Sequence, residues 1–406
     1  MATMRFLNAW RSLPLGPEAI MNPVIRSVIW LAIANMLPGQ TFGTTLQVGP
    51  RRALSLPSEA ARLAKDGDTV EIEAGLYSGD VVSWPQHRLT LRGVGARAHL
   101  EAMGKSAEDK AIWLIKGNDV HVENIEFSGA TAPTLNGAGI RFEGTNLSLK
   151  NCHFHHNQMG ILTGANAASD ILIEGSEFND NTVNYKHHGK LGHNIYIGNI
   201  HRFTLRNSYI HDAETGHNVK SRARQNYLLY NRINDERNGS SYLVDLADGG
   251  EAYLIGNLFH QSVGSENTAM LAFAAEHNQT EPSQQLYLVN NTFVNDHPGG
   301  SFLNNHSVAE AVLINNLLVG QATTLIGPHR QSHNILTEHP LFTDPAAYDY
   351  RLLPNSPAID QGIEPEPAIS GFPLRPVFQY RHPSTIDPRR QQGLIDVGAY
   401  EFNRVR

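Results

Sequence analysis

Two segments of the chain carry side chains suited to proton transfer, and both begin with a His-Asn pair. The first reads His193-Asn-Ile-Tyr-Ile-Gly198, and the second, 24 residues later, reads His217-Asn-Val-Lys-Ser-Arg222. In the second segment Lys220 stands where the first has Tyr196. An amine, a guanidinium and a phenol at neighbouring positions suit the removal of a proton next to a stabilised negative charge.

These groups match the three requirements of β-elimination, which are a base, a cation for the enolate-like charge and an acid for the leaving oxygen. Lys220 is the predicted base, because a neighbouring cation lowers the pKa of a lysine. Arg222 is the predicted cation. The acid is predicted to be Tyr196, His217 or His193.

The positions of these side chains depend on whether the chain is repetitive. Apolar anchors, each followed by a polar turn, recur at spacings of 27, 24, 32, 23, 26, 34 and 25 residues. A period near 24 is typical of a parallel β-solenoid, in which equivalent residues of successive coils stack about 4.8 Å apart. The anchors are Phe127, Phe154, Phe178, Ile210, Ile233, Phe259, Phe293 and Leu318.

A second β-like run precedes these anchors in most coils, and the runs align with one another. The Ile, Val or Leu in second place would face the core, because alternate residues of a strand point to opposite faces. Positions one, three and five would then form a basic, hydrogen-bonding outer floor suited to an acidic sugar chain. The predicted outward residues are Arg141, Glu143, Asn194, Tyr196, Asn218, Lys220 and Arg222.

A purely structural role is the alternative for each outward residue. For Asn194 and Asn218 we favour a ladder of hydrogen bonds between equivalent turns, with substrate contact as the second interpretation. For Lys220 and Arg222 we favour function over a solvated gatekeeper, because neighbouring coils are much less polar at the same positions. For the two histidines of the His-Asn pairs, both interpretations carry equal weight.

Two long coils add loops that would rise beside this floor. The insertion 184–190 contains His188 and Lys190, which are predicted to line one side of the groove. Like Arg141, both are predicted to contact substrate. The second long coil contributes residues 276–285.

Asp245 does not fit the alternation. Strict alternation turns it towards the core, where a lone carboxylate is costly. Either the register slips by one residue and Asp245, with Asp248, faces the groove, or Asp245 is a buried and hydrogen-bonded structural acid. The first interpretation makes Asp245 a predicted contact to substrate.

Composition excludes several classes of protein. The 406 residues are 41% hydrophobic and 17% charged with a net charge of −7, which predicts a folded chain that does not bind nucleic acid. We also expect the chain to be a monomer. The single cysteine, Cys152, excludes an intrachain disulfide framework.

The N-terminal region has the layout of a secretory signal peptide. Arg26 precedes an apolar run at 27–37 that is too short for a confident membrane span, and small residues follow. We therefore predict a signal peptide over 1–43, with 1–20 as an upstream extension if Met21 is the start. The mature chain is expected to be periplasmic or secreted, without a stable membrane span.

The segments before and after the repeats predict a solenoid whose ends are covered. Residues 57–65 have helical spacing with Pro57 near the first turn, which suits a helix that caps the first coil. The segments "GDTVEIEAGLY" and "LTLRGVG", together with the C-terminal "IDVGAYEF", resemble right-handed parallel β-helix proteins of the pectate-lyase-like superfamily. We therefore predict an all-β right-handed parallel β-helix over 44–340, with an irregular, proline-rich tail over 341–406 packed on the solenoid.

A narrower resemblance surrounds Lys220. Residues 219–231 are similar to the catalytic-lysine coil of the chondroitinase-B and alginate lyase family. The resemblance implies that Lys220 removes the C5 proton of a uronic acid beside an arginine and calcium. The next coil, 243–250, contains no arginine, and only Asp212 and Glu214 stand near the place of the family's acidic calcium ligands. The residues alone require no cofactor.

We expect an exported polysaccharide lyase that acts on an acidic glycan. One rival is a glycoside hydrolase, which needs a pair of carboxyl groups. Another is a solenoid that binds carbohydrate without turnover. The candidate acids for the hydrolase are Asp235, Glu236, Asp245 and Asp248. A metal site is a weaker alternative, with no familiar spacing among His187, His188, His193 and His217.

Overall fold

A computed structural model of the protein describes residues 43–403, apart from 185, 186, 188, 238 and 277–283. The predicted signal peptide, except for Gly43, and His188 therefore lie outside the described residues.

None of the helices in the described part of the chain has the length and hydropathy needed to cross a membrane.

The described chain winds into a parallel β-helix whose coils each contribute to three ladders of strands. One ladder is a ten-stranded sheet, and the other two are joined into a 21-stranded sheet because β2 and β4 run through both. Strands are numbered in chain order. The ten-stranded sheet contains β3 (Val82–Trp84), β5 (Ala111–Ile115), β8 (Ala138–Phe142), β11 (Met159–Thr163), β14 (His193–Ile197), β17 (Val219–Ser221), β20 (Val244–Leu246), β23 (Ala269–Phe273), β26 (Ser301–Asn305) and β29 (Thr323–Ile326).

The 21-stranded sheet follows the ten-stranded sheet in each coil. Its first ladder contains β1 (Thr45–Val48), β2 (Thr69–Ser78), β4 (Thr90–Glu101), β6 (Val120–Glu123), β9 (Leu147–Lys150), β12 (Asn166–Glu174), β15 (Ile200–Arg206), β18 (Gln225–Leu229), β21 (Glu251–Ile255), β24 (Gln285–Val289), β27 (Ala311–Ile314) and β30 (His329–Ser332). Its second ladder continues from the end of β4 through β7 (Ile125–Ser128), β10 (His153–His155), β13 (Glu177–Asn179), β16 (Tyr209–His211), β19 (Arg232–Asn234), β22 (Leu258–Gln261), β25 (Thr292–Asn295), β28 (Leu317–Gly320) and β31 (Ile335–Thr337).

The predicted apolar anchors form one continuous column inside the solenoid. Register pairs each anchor with the next, from Phe127 to Leu318. Phe154 stacks on Phe127 at 4.8 Å between ring centroids and on Phe178 at 4.6 Å. Burial of each such ring contributes about 1.5–3 kcal/mol, so the column holds successive coils in register. The predicted repeat is confirmed.

The recurrent Asn before each anchor has a conformational cause. The first and second ladders are joined by a single residue in the left-handed region, with φ near +50° to +66°. Asparagine and glycine tolerate this conformation better than other residues. The joining residues are Asn124, Asn151, Gly175, Asn207, Tyr230, Gly256, Asn290 and Asn315.

A second asparagine column is buried directly after these joints. The Nδ2 of Asn257 donates to the Oδ1 of Asn291 at 3.0 Å and to the carbonyl of Leu228 at 2.8 Å. Its Oδ1 accepts from the backbone and side-chain amides of Asn231 at 2.9 and 3.0 Å. Each amide thus satisfies backbone groups of two neighbouring coils.

Replacing Asn257 by alanine is expected to lower the free energy of unfolding by about 2–4 kcal/mol, because buried partners on both neighbouring coils lose their hydrogen bonds. Urea unfolding followed by circular dichroism measures the effect. Asn403→Ala, at an exposed position, is the matched control and should change the value by less than about 0.5 kcal/mol. Equal stability of the two variants would contradict a supporting role for the column.

The first coil is covered by the helix α1 (Pro57–Leu63), as predicted. Pro57 occupies its first turn, and Ala60 and Ala61 are buried. The side chain of Gln86 donates to the carbonyl of Ala61 at 2.8 Å, which satisfies a C-terminal carbonyl of the helix. The helix therefore closes this end of the core.

The chain after β31 is largely irregular and packs on the outside of the solenoid. Two short antiparallel pairs occur in it, β32 (Phe342–Asp344) with β33 (Asp349–Leu352) and β34 (Phe378–Arg381) with β35 (Thr385–Pro388). A 3-10 turn spans Pro345–Ala347. The tail and the second ladder share an apolar cluster that includes Leu258, Val294, Leu317, Tyr350, Tyr380 and Tyr400.

Candidate functional site

The outer face of the ten-stranded sheet becomes polar where β14, β17 and β20 lie side by side. Register aligns Tyr196 with Lys220 and Lys220 with Asp245. We call these three residues the polar column. The same column continues through Leu162 on one side and Ala272 on the other, so the polar stretch spans three coils.

A second outward column places two histidines beside the polar column. His193 and His217 are 6% exposed, and their ring centroids lie 4.8 Å apart. The backbone amide of His217 donates to Nδ1 of His193 at 3.0 Å, and the backbone amide of Tyr242 donates to Nδ1 of His217 at 3.3 Å. An Nδ1 that accepts a hydrogen bond carries no proton, so both rings are neutral with the proton on Nε2.

Burial keeps both imidazoles neutral. It lowers the pKa of His217 to about 3, with a further contribution from the charge of Lys220. Burial also lowers the pKa of His193 well below its usual range, and His217 and Lys220 act in the same direction. Nε2 of His217 lies 3.6 Å from Oδ2 of Asp245, so the ring faces the polar column.

The pKa of His217 predicts a loss of stability in acid. In the unfolded chain its pKa returns to about 6.5. Between pH 6.5 and 3 the unfolded state therefore binds a proton that the folded state does not, and the stability present above pH 6.5 falls as pH falls. The slope for one such proton approaches about 1.4 kcal/mol per pH unit. His217→Asn, which keeps an acceptor for Tyr242, should flatten this slope.

Urea unfolding at a series of pH values between 7 and 4 measures the slope. His121→Asn is the control, because His121 is exposed on β6. An unchanged slope in His217→Asn would mean that this imidazole does not cause the acid lability.

Lys220 is held as an ammonium group between two carboxylates. It is 7% exposed, and its Nζ lies 2.8 Å from Oδ2 of Asp245 and also contacts the carboxylate of Glu276. Burial alone would lower the pKa of Lys220, but Asp245 and Glu276 outweigh it and raise the pKa. The prediction that Arg222 lowers this pKa is therefore wrong for this arrangement, because the carboxylates control it.

Arg222 lies at the next outward position and joins the polar column to two further acids. Its Nε donates to the hydroxyl of Tyr196 at 3.1 Å, its Nη1 lies 2.6 Å from Oδ1 of Asp248, and its Nη2 contacts Glu276. Asp248 lies in a tight turn in which Gly250 adopts φ +87°. A Cβ there would lie 2.4 Å from a backbone oxygen of the preceding coil, so this turn requires glycine.

Glu276 bridges the two cations with one carboxylate. One oxygen contacts Lys220 and the other contacts Arg222, and both cations lower the pKa of Glu276 against the opposing effect of burial. Its side chain remains 43% exposed. The expected basic floor is therefore not what the structure shows, because two cations face the three carboxylates of Asp245, Asp248 and Glu276.

The position of Asp245 corrects the predicted register of one coil. Asp245 aligns with Lys220 on the outer face, because Val244, and not Leu243, pairs with Val219. Asn218, before β17, and Leu243, before β20, also turn towards the core. Two consecutive inward residues therefore precede Lys220 and Asp245. The one-residue slip that places Asp245 in the groove is the correct interpretation.

The same inward corner explains Asn194 and Asn218, which are both fully buried. The Nδ2 of Asn194 donates to Oδ1 of Asn218 at 2.8 Å and to the carbonyl of His211 at 2.8 Å. The prediction that their side chains face outwards and contact substrate is wrong, and the structural ladder is the observed role.

The remaining predicted contacts lie around the polar column. Arg141 occupies the same column beyond Leu162, and its Nε lies 3.5 Å from the carboxylate of Glu143. Nζ of Lys190 donates to the carbonyl of Thr134 at 2.6 Å. Their contact with substrate stays a prediction.

The other acids named for a hydrolase have structural partners. Asp235 is 1% exposed and accepts from Ser262 at 2.8 Å. Glu236 accepts from Tyr209 at 2.6 Å and from Arg232 at 2.7 Å. Both lie after β19, on the segment that leads towards β20.

Asp212, one of the two residues implied for calcium, does not fit that ion. Oδ1 of Asp212 accepts from the backbone amides of Glu236 and Arg237 at 2.7 and 2.9 Å, and its Oδ2 lies 3.2 Å from Nε of Arg237. In the groove, each carboxylate of the cluster already faces Lys220 or Arg222. Calcium needs six to eight oxygen ligands, whereas each of these carboxylates is already in an ion pair with Lys220 or Arg222.

Comparisons with known proteins identify the class of fold. The sequence profile of the family described as "Right handed beta helix region" matches residues 105–259, which include β14, β17 and most of the site. With the parallel ladders, this match shows that the protein has the predicted right-handed parallel β-helix fold.

Solved structures also match the chain, among them a pectate lyase and a pectin methylesterase variant. Pectate lyase Pel9A superposes with a TM-score of 0.62 over 90% of this chain and 98% of that chain, at 13% identity. A pectin methylesterase variant in complex with a hexasaccharide has a TM-score of 0.35, with 9% identity over 76% of this chain and 93% of that chain. No curated protein sequence matches the chain significantly. At this identity, the likeness to Pel9A is one of fold.

Proposed function

We propose that the protein is a polysaccharide lyase that cleaves a uronic-acid-containing glycan by β-elimination at the polar column. The observation that carries this proposal is the position of Glu276, whose single carboxylate is held by both Lys220 and Arg222. A uronate carboxylate has the same charge and shape. Bound in place of Glu276, it would lie beside Arg222 and beside the ammonium group that Lys220 becomes on taking the proton, so that both stabilise the charge that develops.

The elimination uses the groups around that carboxylate. Neutral Lys220 takes the proton from C5 of the uronic acid, and the electron pair forms the C4–C5 double bond. The bond from C4 to the glycosidic oxygen breaks, and the hydroxyl of Tyr196 donates a proton to that oxygen. Arg222, which donates to Tyr196 in the resting structure, stabilises both the substrate carboxylate and the phenolate that remains.

Lys220 can act as the base only after it loses its proton. Glu276 raises the pKa of Lys220 in the resting structure. When a substrate carboxylate takes the place of Glu276, Arg222 remains as the neighbouring positive charge. Asp245 remains beside Nζ, which favours activity at alkaline pH. Among the described residues Oδ1 of Asp245 is buried and has no hydrogen-bond partner.

A glycoside hydrolase is the second candidate. The two carboxyl groups that contact Lys220, those of Asp245 and Glu276, favour it. Burial raises the pKa of Asp245, whereas Lys220 and Arg222 lower that of Glu276. Two neighbouring carboxyl groups with pKa values displaced in opposite directions suit an acid and a base.

Product analysis separates these functions. The purified protein is incubated with alginate, pectate and glycosaminoglycans over pH 6 to 10, and the ultraviolet absorbance of unsaturated uronate and the reducing ends are measured together. The lyase predicts both signals in equal amounts. Reducing ends without the absorbance would identify a hydrolase, and binding without either signal would identify a carbohydrate-binding module.

The proposed substrate is a polymer met outside the cytoplasm. The predicted signal peptide supports export to the periplasm or beyond, where such glycans occur. Comparing the N-terminus of the cell-associated and exported protein by mass spectrometry tests this, and an exported chain that begins before residue 21 would contradict cleavage near residue 43.

A further inference from the structure

We propose that the outer face of the second ladder contains a site for a divalent transition-metal ion of the zinc class, formed by His99, Glu126 and His155. The site is independent of the proposed function, since it lies on β4, β7 and β10 and not on the ten-stranded sheet. It would join three successive coils.

The three side chains already converge. Nδ1 of His99 lies 3.6 Å from Oε1 of Glu126, and Nε2 of His155 lies 3.0 Å from the same oxygen. All three ligand atoms lie within 4.8 Å of one another. Ligands of a tetrahedral zinc ion, bound at about 2.0–2.1 Å, are separated by roughly 3.3 Å, so small side-chain rotations would complete the set.

The opposite nitrogen of each imidazole is held by another residue. Nε2 of His99 lies 2.7 Å from the hydroxyl of Ser128, and Nδ1 of His155 lies 2.7 Å from Nδ1 of His156. In protein metal sites the nitrogen that does not bind the metal is usually fixed in this way, which orients the ring. Both rings are therefore oriented with their free nitrogen towards Glu126.

A second cluster of possible metal ligands on the same ladder differs in its ion pairs. His211, Asp212 and Glu236 also converge. There, Arg237 lies 3.2 Å from Asp212 and Arg232 lies 2.7 Å from Glu236, so arginines already supply the positive charge. Of the two groups, only the one at Glu126 has no Lys or Arg ion pair in the described structure, and histidines are its only paired charges.

The ligand set selects the class of ion. Two imidazoles and one carboxylate suit zinc and related first-row metals, whereas calcium and magnesium prefer oxygen ligands throughout. The side chains of His99 and Glu126 are 28% and 26% exposed, so an ion can reach the site and solvent can fill its fourth position.

Direct metal binding tests the proposal. The full purified chain, first treated with chelator, is titrated with Co²⁺ and followed by its visible absorption, and bound Zn²⁺ is counted after dialysis. We expect one ion per chain, a rise in Tm with Zn²⁺, and at least a 100-fold loss of affinity in Glu126→Gln and in His99→Ala. Ser128→Ala should weaken binding by about 10-fold, because it releases the ring of His99.

His121→Ala is the control and should bind the ion as the natural sequence does. Circular dichroism of each variant without metal establishes that it folds. Less than one ion per chain at micromolar Zn²⁺ would overturn the proposal. So would a folded Glu126→Gln variant that binds as tightly as the unchanged chain, because the ion would then be held elsewhere.

Discussion

Lys220→Ala is expected to lower kcat/KM for elimination by about 10²–10⁴-fold, the range for loss of a group that transfers a proton in the transition state. The variant also loses Nζ, one of the two groups that contact the substrate carboxylate, so KM should rise as well. The rate of formation of unsaturated uronate, measured over a range of substrate concentrations, separates the two effects.

The variant needs a structural control because it leaves Asp245 buried without its cation. Lys220→Ala combined with Asp245→Asn removes both charges, and it should fold and remain inactive. Lys150→Ala, on an exposed lysine of β9, should keep full activity. Turnover within threefold of the natural sequence in a folded Lys220→Ala variant would end the assignment of Lys220 as the base.

Glu276→Gln is expected to raise kcat/KM near neutral pH and to move the rising limb of the pH profile to lower pH. The Glu276 carboxylate raises the pKa of Lys220, so its removal lowers that pKa and leaves more of the amine unprotonated. Each pH unit of downward displacement increases the deprotonated fraction at pH 7 about tenfold. The variant also removes a competitor for the substrate carboxylate, which should lower KM.

The pH dependence of kcat/KM and of KM distinguishes the alternatives. Glu266→Gln, at an exposed position on another turn, should leave both unchanged. A lower KM with an unmoved rising limb would show that Lys220 only neutralises charge. Loss of all turnover in a folded Glu276→Gln variant would contradict the lyase mechanism and favour a hydrolase that uses this carboxylate.

The solenoid was predictable because its signals are periodic. The column from Phe127 to Leu318 repeats in sequence at the interval at which coils repeat in space, and asparagine or glycine occupies all but one of the left-handed joints between the ladders. The face of Tyr196 and Lys220 followed from simple alternation within β14 and β17.

Alternation failed at the corners of the coils. There Asn194 and Asn218 turn inwards next to a second inward residue, which a period of two does not allow. For the same reason the predicted register of the coil that contains Asp245 was wrong by one residue. Comparing Tyr242-Leu-Val-Asp245 with His217-Asn-Val-Lys220 would have revealed the correct register, since both place Val third and a polar residue fourth.

The charges that surround Lys220 could not be predicted from the sequence of its own strand. Glu276 is 56 residues from Lys220 in the chain, yet together with Asp245 it raises the pKa of that lysine. Its coil differs from the others by an insertion, so no repeat aligns it with the polar column. Loops above a rigid sheet escape sequence periodicity for this reason.

The packing of the C-terminal tail also has a consequence for the order of folding. Neighbouring coils join residues about one period apart, so they can assemble vectorially, in the order in which the chain emerges. The tail instead bonds across large separations, as where the amide of Val377 donates to the hydroxyl of Tyr230, 147 residues away. Its docking has to wait for a finished scaffold, and a chain stalled during synthesis would leave Tyr230, Tyr253 and Tyr287, which the tail covers, exposed to proteolysis and self-association.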